Sequence, residues 1–156
     1  MSRAEVFPFA GIGERWKERY PDWIRGLKQK NGVYIIRDRD SGQIVYVGES
    51  HSDRLYATLT RHFQAWADTF DTAGPTYHRA DVEVAIIVVH KTHAMRLQNE
   101  LICVLSPVDN RLECSANQIQ EDLSEKPPRG YDYDVYALLD CIVYQFADSD
   151  GDEIPF

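Results

Sequence analysis

No stretch of this 156-residue chain reaches the ~18 to 20 unbroken apolar residues that a membrane span requires, and the N-terminus has no signal-peptide hydrophobic region. Cysteine is scarce. Cys103, Cys114 and Cys141 are three, an odd number, and none forms a C-x-x-C pair. That argues against a disulfide scaffold and predicts reduced thiols and a cytoplasmic setting. His90 and His93 have no cysteine partner at zinc-finger spacing, so zinc is not expected. Positive charge is also short: 17 Lys and Arg face 25 Asp and Glu, a net of −8. A general grip on a phosphate backbone is therefore not expected of the whole chain. Internal repeats are absent as well. What is present, 44 % apolar and 27 % charged residues, suffices for one domain with its own hydrophobic core.

The acidity is not evenly spread. Cys114 to Phe156 carries two basic residues, Lys126 and Arg129, and ten acidic ones, so it accounts for the whole of the −8. Residues 1–113 are neutral and can still present a local basic cleft. Three stretches follow from composition and pattern. Residues 1–30 read as a helical lead that packs on the core, with Trp16, Tyr20 and Trp23 among charges and Pro21 at the start of a helix running towards Lys30. Residues 31–111 are the core. Residues 112–156 are an acidic extension, docked in part through the apolar run Val135 to Phe146, whose periodicity does not choose between helix and strand.

Within the core, two β-prone runs, Val33 to Ile36 and Gln43 to Val47, flank the turn-forming stretch Asp38-Arg39-Asp40-Ser41-Gly42 and predict an antiparallel hairpin. A loop centred on Asp40 sets Tyr34 directly opposite Tyr46, with both hydroxyls on one face. Asp53 to Ala67 reads as a helix capped by Ser52, with Leu55, Leu59, His62, Phe63 and Trp66 turned inward. Val82 to Val89 is nearly unbroken Val, Ile and Ala, as in a strand covered on both faces. Thr92 suits the cap of a further helix whose Ala94, Leu97, Leu101, Val104 and Leu105 face inward until Pro107 ends it.

Several polar residues stand where chemistry could use them. Arg54 and Arg61, seven apart, share one flank of the first helix, with Thr58 between them and His62 at the border of the buried stripe. Guanidinium groups and an imidazole on one helix edge suit a phosphate-binding wall. Glu100 borders the apolar stripe of the later helix, where a carboxylate can hold one hard divalent cation. Asn110 follows just past Pro107. Each has an ordinary structural alternative: a solvated arginine face, a satisfied half-buried histidine, or a weak i,i+4 pair between Arg96 and Glu100.

Taken together and in order, Gly32-Val33-Tyr34, Tyr46-Val47-Gly48, Arg61-His62-Phe63, Glu100, and Pro107 with Asn110 resemble the GIY-YIG endonuclease superfamily. The resemblance covers residues 31–111. It implies an α/β (α+β) domain with a central three-stranded antiparallel sheet flanked by helices, and Mg²⁺-dependent (or Mn²⁺-dependent) cleavage of phosphodiester bonds in DNA, with RNA as the alternative substrate. Carried over by position, it makes Glu100 the metal ligand, Tyr34 the base or orienter of the attacking water, Tyr46 its hydrogen-bonding neighbour, His62 the proton acceptor and Asn110 a positioning group. The family places an arginine one turn before the histidine, where this chain has Thr58; Arg54, or else Arg61, is expected to supply that guanidinium. No DNA-reading module is recognisable, so sequence selection would fall to a separate DNA-binding protein. The competing expectation is a GIY-YIG fold that binds nucleic acid or a protein and cleaves nothing.

Overall fold

The apolar run at Val82 demands neighbours on every side, and the fold supplies them. A computed structural model describes residues 4–15, 18–64 and 77–143. They form a four-stranded antiparallel sheet in the order β1-β4-β2-β3, with β1 at Glu5–Gly11, β2 at Gly32–Asp38, β3 at Ile44–Ser50 and β4 at Val82–Val88. The sheet thus has four strands where three were expected. The fourth comes from the lead, which contributes β1 and a short helix α1 (Asp22–Arg25) in place of a helical segment reaching Lys30. Central β4 pairs with β2 on one side and would leave its other edge bare without β1. Pro8 hid this strand from the pattern. It sits where the register shifts between Phe7 and Ala10, and an irregular edge strand tolerates a proline.

Both faces of the sheet are covered. Val33, Ile35, Val47, Ala85 and Ile87 bury against α3 (Lys91–Leu105). Tyr34, Ile36, Val84 and Ile86 bury on the opposite face with Ile24 of α1 and with Leu55 and Leu59 of α2 (Leu55–Thr60). The expected inward stripe of α3 holds at Ala94, Leu97 and Leu101, whereas Val104 is exposed. His90 rather than Thr92 takes the cap position, its ring nitrogen accepting the Thr92 N–H. The expected helix from Asp53 is shorter. Arg54 precedes it with its N–H bonded to Ser50, and after Thr60 the chain tightens into a 3₁₀ turn at Arg61–Phe63. Its continuation to Ala67, with Trp66, lies outside the described residues, as do Trp16 and the last residues of the acidic end.

Residues of the extension pack on α3 through Ile119 of α4 (Asn117–Ser124) and through Val135 and Ile142 of the helical stretch 135–143. The cysteines depart from expectation. Cys103 and Cys114 form a disulfide across 4.6 Å between Cα atoms, and exposed Cys141 is free. The turn after Pro107 folds the chain back on the end of α3, a proximity that cysteine spacing does not encode. Among the described residues, no helix is long and apolar enough to cross a membrane.

Candidate functional site

The two tripeptides owe their glycines to close approach. The strand register sets Tyr34 opposite Gly48 and Ile36 opposite Tyr46, so the expected Tyr34–Tyr46 pairing is offset by two residues. An offset of two preserves the face, and the rings stack diagonally at 6.0 Å between centroids. A Cβ on Gly48 would overlap the Tyr34 phenol, and one on Gly32, where φ is +152°, would run into the Ile87 carbonyl of β4. Gly48 therefore makes the bed in which the Tyr34 ring lies, and Gly32 lets β2 close on β4.

His62 completes this cluster. The 3₁₀ turn carries its Nε2 to 2.8 Å from the Tyr34 hydroxyl and its ring to 4.7 Å from that of Tyr46. Burial, and secondarily the neighbouring Arg61 guanidinium, lowers the His62 pKa to about 4, so the imidazole is neutral at pH 7. Burial, and then the nearby Tyr46, holds the Tyr34 hydroxyl protonated well above the ordinary phenol range. The Tyr46 phenol is raised by burial too, with the hydrogen bond to Tyr34 and then Arg111 opposing the shift. The cluster is a network of neutral hydrogen-bonding groups at pH 7. Because unfolding restores an ordinary imidazole, the unfolded chain binds more protons between the two pKa values. Stability should therefore be full above pH ~6.5 and decline as pH falls towards about 4. Thermal melts across that range should show this slope, and His62→Gln should flatten it.

From this cluster a cleft of about 630 Å³ opens around the edge of β3. It is lined by Tyr46, His62 and Tyr77, by Gln98 and Ile102 of α3, and by the loop residues Asp109 and Arg111. Asn110 fixes that loop. Its side-chain amide accepts the Val47 N–H at 2.9 Å and donates to the Val47 carbonyl at 2.8 Å, covering outward backbone groups of an edge strand. The Asp109 N–H reaches the Val45 carbonyl at 2.8 Å, and its carboxylate accepts the Tyr77 hydroxyl at 2.7 Å.

Of the expected site residues, Tyr34, Tyr46, His62 and Asn110 gather at this cleft or directly behind it. Arg54, just before α2, and Arg61, in its 3₁₀ extension, are exposed and do not line the cleft; the guanidinium that does is Arg111. Glu100 is not brought in. One carboxylate oxygen accepts the Tyr131 hydroxyl at 2.7 Å and the other meets Arg96 Nε at 3.3 Å, both on the side where the extension docks. Arg96 in turn holds the Asp122 and Glu125 carbonyls. At 100° per residue Gln98 and Glu100 are ~200° apart on the helix, and Gln98 is the one that faces the phenols. A divalent ion expected at Glu100 does not fit this cleft, since the carboxylate is committed elsewhere. Glu100→Ala should instead loosen the extension, costing about 1 kcal/mol in a urea or thermal melt while leaving ligand binding in the cleft unchanged.

Gln98, Tyr77, Asp109 and Arg111 were not singled out from sequence. The phase of Gln98 relative to the Leu97–Leu101 stripe was the available signal for it; the other three are placed by loops. Neither a scan against protein-family models nor searches of curated proteins and of solved structures found a match.

Proposed function

We propose that the cleft binds the phosphodiester backbone of nucleic acid, DNA in the first instance, on a GIY-YIG-like fold that does not cleave it. The reading rests on one observation: the polar α3 side chain that lines the cleft with Tyr46 and His62 is Gln98, whereas the carboxylate of Glu100 is bonded to Tyr131 and Arg96. The tyrosine, histidine and asparagine parts of the resemblance come together, and the part that would hold a hard cation does not. Arg111 and the Tyr46 phenol offer donors to a phosphate oxygen, and the neutral His62–Tyr34 pair backs them; the Gln98 amide already donates to Asn99 Oδ1 at 3.1 Å. Affinity should be modest, because Asp109 stands in the same cleft and the chain as a whole is acidic.

Cleavage is the second reading, favoured by Asp109. Among the described lining residues it is the one carboxylate, and Mg²⁺-dependent hydrolysis here would have to draw on it.

The test is anisotropy with a fluorescent DNA duplex at low salt. Arg111→Ala should weaken binding at least about tenfold, as expected for loss of a charge-assisted phosphate contact of ~1.5 to 3 kcal/mol, and lower the salt slope by about 1. Unchanged affinity in the variant would remove the cleft as the binding site.

A further inference from the structure

The disulfide lies next to the cleft but has no part in its hydrogen bonding. Cys103 stands near the end of α3, one turn beyond Gln98 and Asn99, and Cys114 lies just past Arg111 and Leu112. The bridge, with a sequence separation of 11, closes the segment that supplies four of the nine described residues lining the cleft. We propose that this disulfide is a redox latch on ligand binding: oxidised, it holds the Asp109–Arg111 loop against β3, and reduced, it lets the loop move and binding weaken. The proposal rests on the nucleic-acid reading above for the identity of the ligand, but not for the motion of the loop.

Apart from the bridge and Leu112, which packs on the core, the loop is tied at a narrow place. Asp109 and Asn110 make its bonds to Val45, Val47 and Tyr77. On either side, Ser106 turns the chain out of the helix with φ +48°, and Val108, Arg111 and Glu113 are exposed. Closing a loop restricts its open states; opening the bridge restores them to the segment that carries Arg111. Both cysteines are half-buried rather than sealed. A second hollow of about 370 Å³, lined by Pro107, Leu112 and Cys114 among others, gives a reductant access.

The chemistry is thiol–disulfide exchange with a dithiol reductant. Its thiolate attacks one cysteine sulfur, the S–S bond breaks, and the other cysteine leaves as a thiolate that takes up a proton. The reductant's second thiol then displaces the first cysteine, so two electrons and two protons pass to the protein and the reductant becomes a disulfide. A disulfide oxidant reverses the sequence. Cys141, in the helical stretch 135–143, takes no part.

The experiment compares the full chain in both redox states, verified by alkylation and mass, using duplex-DNA anisotropy and amide hydrogen exchange over residues 106–113. Reduction, and separately Cys103→Ser and Cys114→Ser, should weaken binding at least fivefold and speed exchange in that segment at least tenfold. Cys141→Ser should keep the oxidised values of both. Equal exchange rates in the two states, equal affinities, or three free thiols after oxidation would overturn the latch. If exchange divides between the states while neither binds DNA, the latch on the loop stands and nucleic acid as its ligand falls.

Discussion

Gln98→Glu should give the cleft a divalent-cation site, where among the described residues of the native chain no cluster of metal-ligating side chains occurs. The substitution keeps length and shape and exchanges an amide for a carboxylate on the face of α3 that looks towards Tyr46 and His62. Hard cations take oxygen ligands, and a Mg²⁺ site can be built on one or two carboxylates plus waters and substrate phosphate. In the variant, the new carboxylate at position 98 and that of Asp109 would make a pair. Mn²⁺ should broaden the NMR signals of His62 and Tyr46 in the variant at concentrations at least tenfold below those needed for the native protein. With DNA bound, Mg²⁺ or Mn²⁺ should then support nicking by the variant at a rate at least ten times the native background. Equal Mn²⁺ response in the two proteins would mean that position 98 does not decide metal occupancy.

Gly48→Ala should strongly destabilise the strand pair through one added methyl. The added Cβ would overlap the Tyr34 phenol. Tyr34 is 2 % exposed and has nowhere to retreat, since Leu55, Leu59 and Phe63 pack the same face. Overpacking of this kind costs ~1 to 3 kcal/mol, and each kcal/mol lowers Tm by roughly 2 to 4 °C in a domain of this size. Displacing the phenol also breaks its 2.8 Å bond to His62; where this opens the ring to water, the imidazole pKa, lowered first by burial, should climb from about 4. A melt and a histidine NMR titration check both effects. A variant with native Tm would show that Tyr34 does not rest where Gly48 leaves room.

The sequence was legible where a residue type and a period coincide. Glycine beside tyrosine in two β-prone runs marks the hairpin and the shared face of Tyr34 and Tyr46. The register was missed by two because the turn sets Arg37 opposite Ile44, one off a loop centred on Asp40, and the shift between Ile36 and Arg37 adds the second; alternation by two conceals such an error. The long apolar run located β4, but its second neighbour was masked by Pro8. Glu100 stands out in the sequence as a carboxylate near an apolar stripe. Two positions on a helix are slightly more than a half-turn apart, however, and only the packing of α3 against β3 decides which of Gln98 and Glu100 meets the cleft. Asp109 and Arg111 are held by Asn110 bonds to Val47, a loop-to-edge contact across 63 positions with no periodic signature.

The absence of cleavage alongside retained binding can be measured in one tube. Supercoiled plasmid is titrated with native protein at low salt, where phosphate contacts are strongest, until a gel shift is complete. Excess Mg²⁺ or Mn²⁺ is then added and samples are taken over time. The expected result is shifted plasmid that runs as intact supercoil once protein is removed. Nicked or linear product that grows with time, and that Asp109→Asn abolishes, would contradict it.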